Sequence, residues 1–333
     1  MVLKCSVIVR CYNEAEHINR LLTGIYRQNY ALSNFLEVIV VDSGSTDDTV
    51  TIASHYPIKL LSIHKDEFSF GRALNVGCQE AIGEFIVIVS AHVYPIYQDW
   101  LERLLEPFID PKVALVYGKQ RGNSTTKYSE SQIFAKWFPD EADFDQPHPF
   151  CNNANAAIRR SLWKQIPYDE MLTGLEDLDW AKKAQRFGYK LAYAADAVIV
   201  HVHDETPPRI LNRYRREAIA LKRIFPEEQF HLWDFIRLVV TNIISDLYHS
   251  WHDGVIWQRC SEICMFRLMQ FLGTYRGFLH HGKITRKLRQ TFYYPKGFSR
   301  PVIDADSTHK SPIDYSTSFD ALQEKCLEKT KTH

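Results

Sequence analysis

Three groups of side chains in this sequence have the types and spacing for chemistry. Asp42 follows Val38-Ile39-Val40-Val41 and precedes Ser43-Gly44-Ser45-Thr46-Asp47. Four aliphatics in a row read as a strand buried on both faces. An acid at its C-terminal tip can bond a ribose hydroxyl or a base edge. Taken alone, the same acid serves equally well as the cap of a βα turn. His201 and His203 follow the apolar run Val198-Ile199-Val200, with Asp204 next. Alternate residues of an extended strand face one side, so the two imidazoles can converge on one point. His-x-His beside a carboxylate suits Mn²⁺, Zn²⁺ or another borderline metal; two solvated histidines at a strand end are the alternative. Glu176-Asp177 opens a helical stretch, where the helix dipole favours the ionised form. Acid enrichment in a first helical turn is also an ordinary feature of stable helices.

These groups need elements to hold them. Ser6 to Arg10 is a second buried strand, running into the polar tip Cys11-Tyr12-Asn13-Glu14. From Ala15 to Tyr30, apolar residues at 18, 21, 22 and 25 predict a helix. Leu60 to Ile63 reads as a short strand, Arg72 to Ile82 as a helix closed by Gly83, and Phe85 to Ser90 as a buried strand. Trp100 to Phe108 predicts a helix and Val113 to Gly118 a strand. From about 120 to 150 the pattern dissolves into polar, Pro-containing sequence, which reads as a long loop. Leu178 to Phe187 predicts a helix; Leu191 to Tyr193 and Ala197 to Val200 predict two strands. Strand and helix in alternation call for a doubly wound, mostly parallel α/β sheet with helices on both faces. Beyond Pro207-Pro208 the sequence turns helical, rich in aromatics and arginine. The expected organisation is a domain over 1–205, a helical C-terminal region over 206–301 and a polar, partly disordered tail over 302–333.

Tyr12-Asn13-Glu14 and Asp42-Ser43-Gly44-Ser45-Thr46-Asp47, in this order and setting, resemble the opening of family-2 glycosyltransferases with the GT-A fold. The resemblance covers about residues 5 to 205 and five motifs in sequence. It implies inverting transfer of a sugar from a nucleotide-sugar donor to a hydroxyl of a glycan or lipid-linked acceptor, in a setting such as surface polysaccharide synthesis. It implies that Cys11, Tyr12, Asn13, Glu14, Asp42, Ser43 and Gly44 line the donor pocket. Arg72 and Asn75, in Phe68-Ser69-Phe70-Gly71-Arg72-Ala73-Leu74-Asn75, fall where the family has a basic residue and an Asn. There Arg72 would be a fork donor to the diphosphate. Glu176-Asp177 falls on the family's Glu-Asp pair near the acceptor, which implies Asp177 as the general base with Glu176 orienting it or binding the acceptor, the reverse assignment being the alternative. Asn152, Asn153 and Asn155 lie in the small-residue segment before it and offer amides to acceptor hydroxyls. Turn-forming asparagines would look the same.

One departure stands out. Where the family carries Asp-x-Asp for a divalent metal, this chain has Ser90-Ala91-His92. Ser90 and Ala91 would still border the donor. A metal would then rest on His92 with His201 or His203, and imidazole ligands favour Mn²⁺ over Mg²⁺. Metal-free contacts to the diphosphate are the competing expectation, and a non-catalytic nucleotide- or sugar-binding relative is the alternative function.

Composition narrows the classes. The chain has 333 residues, 45% hydrophobic, with zero formal net charge. No global positive field argues for nucleic acid as a partner. Seven cysteines with no Cys-x-x-Cys pair suggest reduced thiols and a cytoplasmic setting. No apolar run approaches the roughly 20 residues of a membrane span. Basic clusters at Arg213 to Arg216, Lys222-Arg223 and Lys283 to Arg289, interleaved with aromatics, would suit peripheral binding to an anionic membrane surface. A dinucleotide-dependent dehydrogenase would need Gly-x-Gly-x-x-Gly after the first strand, and Arg10 to Glu14 contains no glycine. The same lack argues against a nucleotidyltransferase.

Overall fold

A computed structural model describes residues 4–29, 36–282 and 312–315. The chain runs β1 (Cys5–Cys11), α1 (Ile18–Tyr26), β2 (Leu36–Asp42), α2 (Thr49–Ala53), β3 (Lys59–Ser62) and α3 (Phe70–Glu80). It continues β4 (Phe85–Ser90), β5 (Val93–Pro95), α4 (Trp100–Leu105), β6 (Val113–Arg121), α5 (Tyr128–Trp137), β7 (Asn155–Arg159) and α6 (Arg160–Trp163). It ends α7 (Glu176–Arg186), β8 (Lys190–His201), α8 (Pro207–Ile224), α9 (Leu232–His252) and α10 (Ile256–Phe278). The strands form one sheet in the order β3-β2-β1-β4-β7-β6-β8-β5.

The sheet is buried on both faces, and the period of two is visible in its core. Val7, Val9, Val38, Val40, Val87 and Val89 point to one side, against α1 and α4. Ile8, Ile39, Val41, Ile86 and Ile88 point to the other, against α3, α6 and α7. Strands β3, β2, β1 and β4 are parallel to one another. Past β4 the sheet is mixed: β7 is antiparallel to both β4 and β6, β8 is parallel to β6, and β5 is antiparallel to β8. The segment from β6 to β7 contains α5 and returns the chain antiparallel between β4 and β6.

Two readings of the sequence are corrected here. The stretch from 120 to 150 is not one long loop, because it contains α5. That helix buries Ser129, Glu130 and Phe134, and two of these are polar, so no apolar stripe announces it. The segments Leu191–Tyr193 and Ala197–Val200 are one strand, β8, interrupted by a bulge. Gly118 pairs with Ala194, but Gln120, two residues on, pairs with Ile199. The bulge comes down onto Gly118, where a Cβ would lie 2.3 Å from the Ala197 carbonyl oxygen.

Beyond β8, helices α8 and α10 pack closely. A Cβ at Gly273 would meet the Leu211 carbonyl at 2.4 Å, and one at Gly277 would meet the Ala218 Cβ at 2.5 Å. Among the described residues no helix is long and apolar enough to cross a membrane. The predicted tail and the Lys283–Arg289 cluster lie outside the described residues, apart from 312–315.

Asn155 is a correction in the same place. Its side chain is fully buried and spent on the fold, so it does not face an acceptor. Nδ2 donates to the Ala197 and Lys119 carbonyls of the bulge at 2.8 and 3.2 Å, and Oδ1 accepts from Trp100 Nε1 at 2.9 Å. Asn155→Ala removes both roles and leaves a buried indole N–H unpaired. The expected loss is about 2–4 kcal/mol of unfolding free energy, measured by urea denaturation. A loss below about 1 kcal/mol would show that the bulge is not held by this side chain.

Candidate active site

The parallel register brings the strand tips together. Cys11 pairs with Asp42, and Arg10 pairs with Ser90. The two loops after β1 and β2 are knitted to each other. Asn13 takes a left-handed φ of 52°, its Oδ1 accepts from Thr46 N–H at 2.8 Å, and its own N–H donates to Ser45 Oγ at 2.9 Å. Ser43 Oγ donates to the Cys11 carbonyl at 3.0 Å. The Asp42 carboxylate accepts from Gly44 and Ser45 N–H at 3.0 and 3.1 Å and is buried. Asp42 therefore caps its own turn and shapes the loop. Cys11 is buried beside it, with Sγ 3.7 Å from Asp42 Oδ1. Tyr12 lies under the Lys65 ammonium, 5.0 Å from ring centre to nitrogen.

Glu176 and Asp177 open α7 behind Leu175, which also takes a left-handed φ, 55°. Such a conformation in a bulky residue is strained and persists only where surroundings enforce it. Both carboxylates are buried. Glu176 Oε1 accepts from Arg10 at 3.0 Å, and Asn153 Nδ2 lies 3.5 Å away. Among the described residues no cation contacts Asp177. It accepts from the N–H of Asn153 at 3.0 Å and that of Leu178 at 2.8 Å. Burial, and then the neighbouring Glu176 charge, push its pKa up to about 7; the two N–H groups and Arg10 only moderate this. Dipole-favoured ionisation, expected from the sequence, is outweighed by burial. A carboxyl poised near 7 is what general base work requires.

The three histidines meet at a second point. β5 pairs antiparallel with the end of β8, Val93 opposite His201, and Val202 N–H donates to the His92 carbonyl at 3.0 Å. Ligand atoms of His92, His201 and His203 lie within 4.8 Å of one another. Each ring has its Nδ1 against an acceptor: His92 on Glu14 Oε1 at 2.8 Å, His201 on Gln120 Oε1 at 2.7 Å, and His203 on Glu130 Oε1 at 2.7 Å. That leaves Nε2 of each ring as the free lone pair, the arrangement of a supported metal ligand. His201 Nε2 is buried with no hydrogen-bond partner among the described residues. Burial, then the charges of His203 and His92, hold His201 well below the usual imidazole range, so it is neutral and able to ligate. Glu130 is buried too. Burial opposes its ionisation, but His203 and Arg213 outweigh burial and bring it down to about 2. Arg213 pairs with both Glu130 and Glu205 at 2.7 Å. The residues present therefore fit a divalent metal on three imidazoles.

Other sequence candidates lie differently. Ser90 ends β4 and Ala91 is buried, its N–H on the Arg10 carbonyl at 3.2 Å. Asn152 Oδ1 accepts from Ala154 N–H at 2.9 Å, an asparagine turn. Arg72 is half-exposed and paired with Glu67 at 3.1 Å and Glu170 at 3.5 Å. Asn75 is committed to Tyr168, Glu170 and Trp163 at 2.9 to 3.0 Å. The structure thus uses both on the 163–170 segment instead of on the strand tips. Reading the sequence missed Arg10, Gln120, Glu130 and Glu205. Arg10 had a signal, a charge inside a buried strand; Glu130 sat in sequence read as loop.

Comparisons with known proteins agree with one another. The sequence model described as "Glycosyl transferase family 2" matches residues 6–166. An O-antigen chain rhamnosyltransferase, RfbN, of Salmonella typhimurium is 28% identical over 64% of this chain and 70% of its own length. A poly(ribitol-phosphate) beta-N-acetylglucosaminyltransferase, TarS, of Staphylococcus aureus is 34% identical over 77% of this chain but only 43% of its own length. Among solved structures, the mannosyltransferase PcManGT from Pyrobaculum calidifontis, in complex with GDP-Man and Mn²⁺, superposes with a TM-score of 0.60 at 21% identity. It covers 84% of this chain and 88% of its own, and establishes likeness of fold.

The raised Asp177 carboxyl has a consequence for stability. Its folded pKa, about 7, exceeds the roughly 3.9 of an unfolded aspartate, so the folded state binds the proton more tightly. Its contribution is full below about pH 4 and is lost as pH rises to about 7. Thermal unfolding across that range should show wild type losing stability relative to Asp177→Asn. Parallel pH curves for the two proteins would place the Asp177 pKa in the ordinary range.

Proposed function

Residues 6–166 of this chain belong to glycosyl transferase family 2, and on that premise we propose inverting transfer of a sugar from a nucleotide-sugar donor to a hydroxyl of a glycan or lipid-linked acceptor. The observation that carries this reading is Asp177, a buried carboxyl poised near 7 on the same sheet edge as the β1 and β4 tips. In the proposed step the acceptor oxygen bonds to the anomeric carbon as the bond to the donor phosphate breaks. The leaving nucleoside diphosphate takes the electron pair, and the acceptor proton goes to an Asp177 oxygen. One base suffices for a single displacement, and that supports inversion. Glu176, held by Arg10, orients the base and its surroundings.

The loops at 11–14 and 42–45 would hold the base and ribose, with Tyr12 contributing its ring. Asp42 acts there by fixing the loop. Asn152 and Asn153 remain as acceptor contacts, Asn153 also through its hold on Asp177. His92, His201 and His203 would carry a divalent cation that neutralises the donor's diphosphate, and imidazole ligands favour Mn²⁺ over Mg²⁺. The names of the relatives, a rhamnosyl- and an N-acetylglucosaminyltransferase, support polymer or glycolipid assembly as the setting.

Two outcomes test the reading. Asp177→Asn should lower turnover by about 10²–10⁴ while nucleotide affinity, measured by calorimetry, stays within a factor of a few. Wild-type turnover should rise with pH through about 7 as the base ionises. Near wild-type turnover in the variant would remove Asp177 from the role. For the metal, His92→Ala and His203→Ala should each weaken Mn²⁺ binding in titration calorimetry by about tenfold or more. Unchanged Mn²⁺ affinity in both, or full activity in excess chelator, would leave the diphosphate to other cations.

A further inference from the structure

Helix α9 buries a polar pair and exposes an apolar stripe. Its buried residues are Asp246 and Ser250. Asp246 receives Arg267 of α10 through Nε at 2.7 Å and Nη2 at 2.9 Å, and Ser129 of α5 at 2.6 Å. A buried, doubly bonded ion pair of this kind fixes which side of α9 faces inward. The side left outward carries Trp233, Ile236, Val240, Ile244, Tyr248 and Trp251, all exposed, with Trp233, Ile244 and Trp251 at 70%, 62% and 67%. These six side chains expose roughly 800 Å², beyond the few hundred a monomer usually shows in one apolar patch and about what each partner contributes to a stable interface.

The spacing identifies the occupant. Counted from Asn242, the six residues fall at two, six and nine positions on either side. At about 100° per residue all of them cluster on the face opposite the Asn242 side chain. The stripe is a palindrome. A second α9 laid antiparallel across it sets Val240 against Ile244, Ile236 against Tyr248, and Trp233 against Trp251, each pair occurring twice. Such self-complementarity is the requirement of a two-fold contact, in which one patch serves both subunits. The i, i+4 ridge from Ile236 through Val240 and Ile244 to Tyr248 is of the kind that interdigitates with a copy of itself. Tryptophan and tyrosine at its ends are the residues that dominate interface energetics.

An anionic lipid surface fits less well. Two of the basic residues that sequence alone assigned to it have partners within the described fold. Arg213 pairs with Glu130 and Glu205, and Lys222 Nζ donates to the Phe278 carbonyl at 2.8 Å. Arg237, which the same helical count places among the stripe residues, is paired with Asp234 at 3.5 Å. We propose that the outer face of α9 is a two-fold interface with a second copy of this chain, centred near residue 242.

The full-length chain, run in sedimentation velocity at micromolar concentration, should be a dimer. Ile244→Glu lies close to the axis and is exposed, so the variant should keep the wild-type circular dichroism spectrum and give a monomer. The pair Val240→Cys with Ile244→Cys should oxidise to a covalent dimer well above any seen in wild type, because the register places each opposite the other. A wild-type monomer would overturn the proposal, and pelleting of that monomer with phosphatidylcholine vesicles would assign the stripe to lipid. A dimer that survives Ile244→Glu would overturn it as well, by placing the contact elsewhere.

Discussion

Two adjacent carboxylates cannot both be buried and charged without something to hold them, and the Arg10–Glu176 ion pair is the contact on which this site depends. Breaking a buried pair by removing one partner leaves a charge in a medium that cannot solvate it, at a cost of about 3–5 kcal/mol. Arg10 is suited to the task because it ends a strand locked on both sides by β2 and β4. Its guanidinium lies 5.0 Å over the Phe70 ring, and Arg216 lies 4.6 Å over the same ring. One strand-tip residue therefore joins β1 to α7 and α3, and through Phe70 to α8. Glu176 takes the cation. Asp177, one residue later, has only N–H groups, and its proton affinity rises. Neighbouring acids in unlike surroundings take unlike roles, and the difference comes from position alone.

The histidine cluster solves the opposite problem. Three imidazoles must be aimed at one point, with the buried His201 held neutral. Their acceptors come from three elements: Glu14 from the loop after β1, Gln120 from β6 and Glu130 from α5. The sheet makes this convergence possible in two ways. The three-residue β5 brings the end of β4 back alongside β8. The bulge in β8 shifts its last residues relative to β6, so that Gln120 and His201 come within hydrogen-bond reach. Asn155 and Gly118 hold that bulge, and they shape the cluster while touching none of its rings.

How much of this was legible in the sequence depended on whether the signal was periodic. The parallel core was, because Val38 to Val41 and Phe85 to Val89 are apolar on both faces and α1 carries its stripe at 18, 21, 22 and 25. The tips of those strands, and hence Asp42 and His92, followed from the elements. What stayed hidden was polar burial. Glu130 on α5 reads as a surface acid in a loop until Arg213 and His203 are seen around it. Asn75 and Asn155 read as ligand contacts because an amide signals hydrogen bonding without saying to what. Their partners are backbone groups, indole nitrogens and, for Asn75, the Glu170 carboxylate, all distant in sequence, and no local pattern encodes those. Asp42 was readable as a ligand or as a cap, and its bonds to Gly44 and Ser45 show the capping role that the strand pattern left open.

The change of texture near residue 205 marks where strands stop, and the helices beyond it still belong to the site's support. α8 sends Arg213 to Glu130 and Arg216 to Phe70, so the charges around both clusters are completed from the C-terminal side. α5 is the hinge of this arrangement. Its Ser129 hydroxyl bonds the Asp246 carboxylate of α9, and the next residue, Glu130, takes His203. Consecutive residues of one helix thus fix the rotation of α9 and the tautomer of a histidine in the cluster. A force that turned α9, such as the loss of whatever covers its apolar stripe, would pull on Ser129 and be felt one residue away at Glu130. The polar contact inside α9 then has a structural reason. Its ion pair faces inward to anchor α5, beside the half-buried Phe235, Leu238, Val239 and Ile243, and a second set of apolar residues faces out.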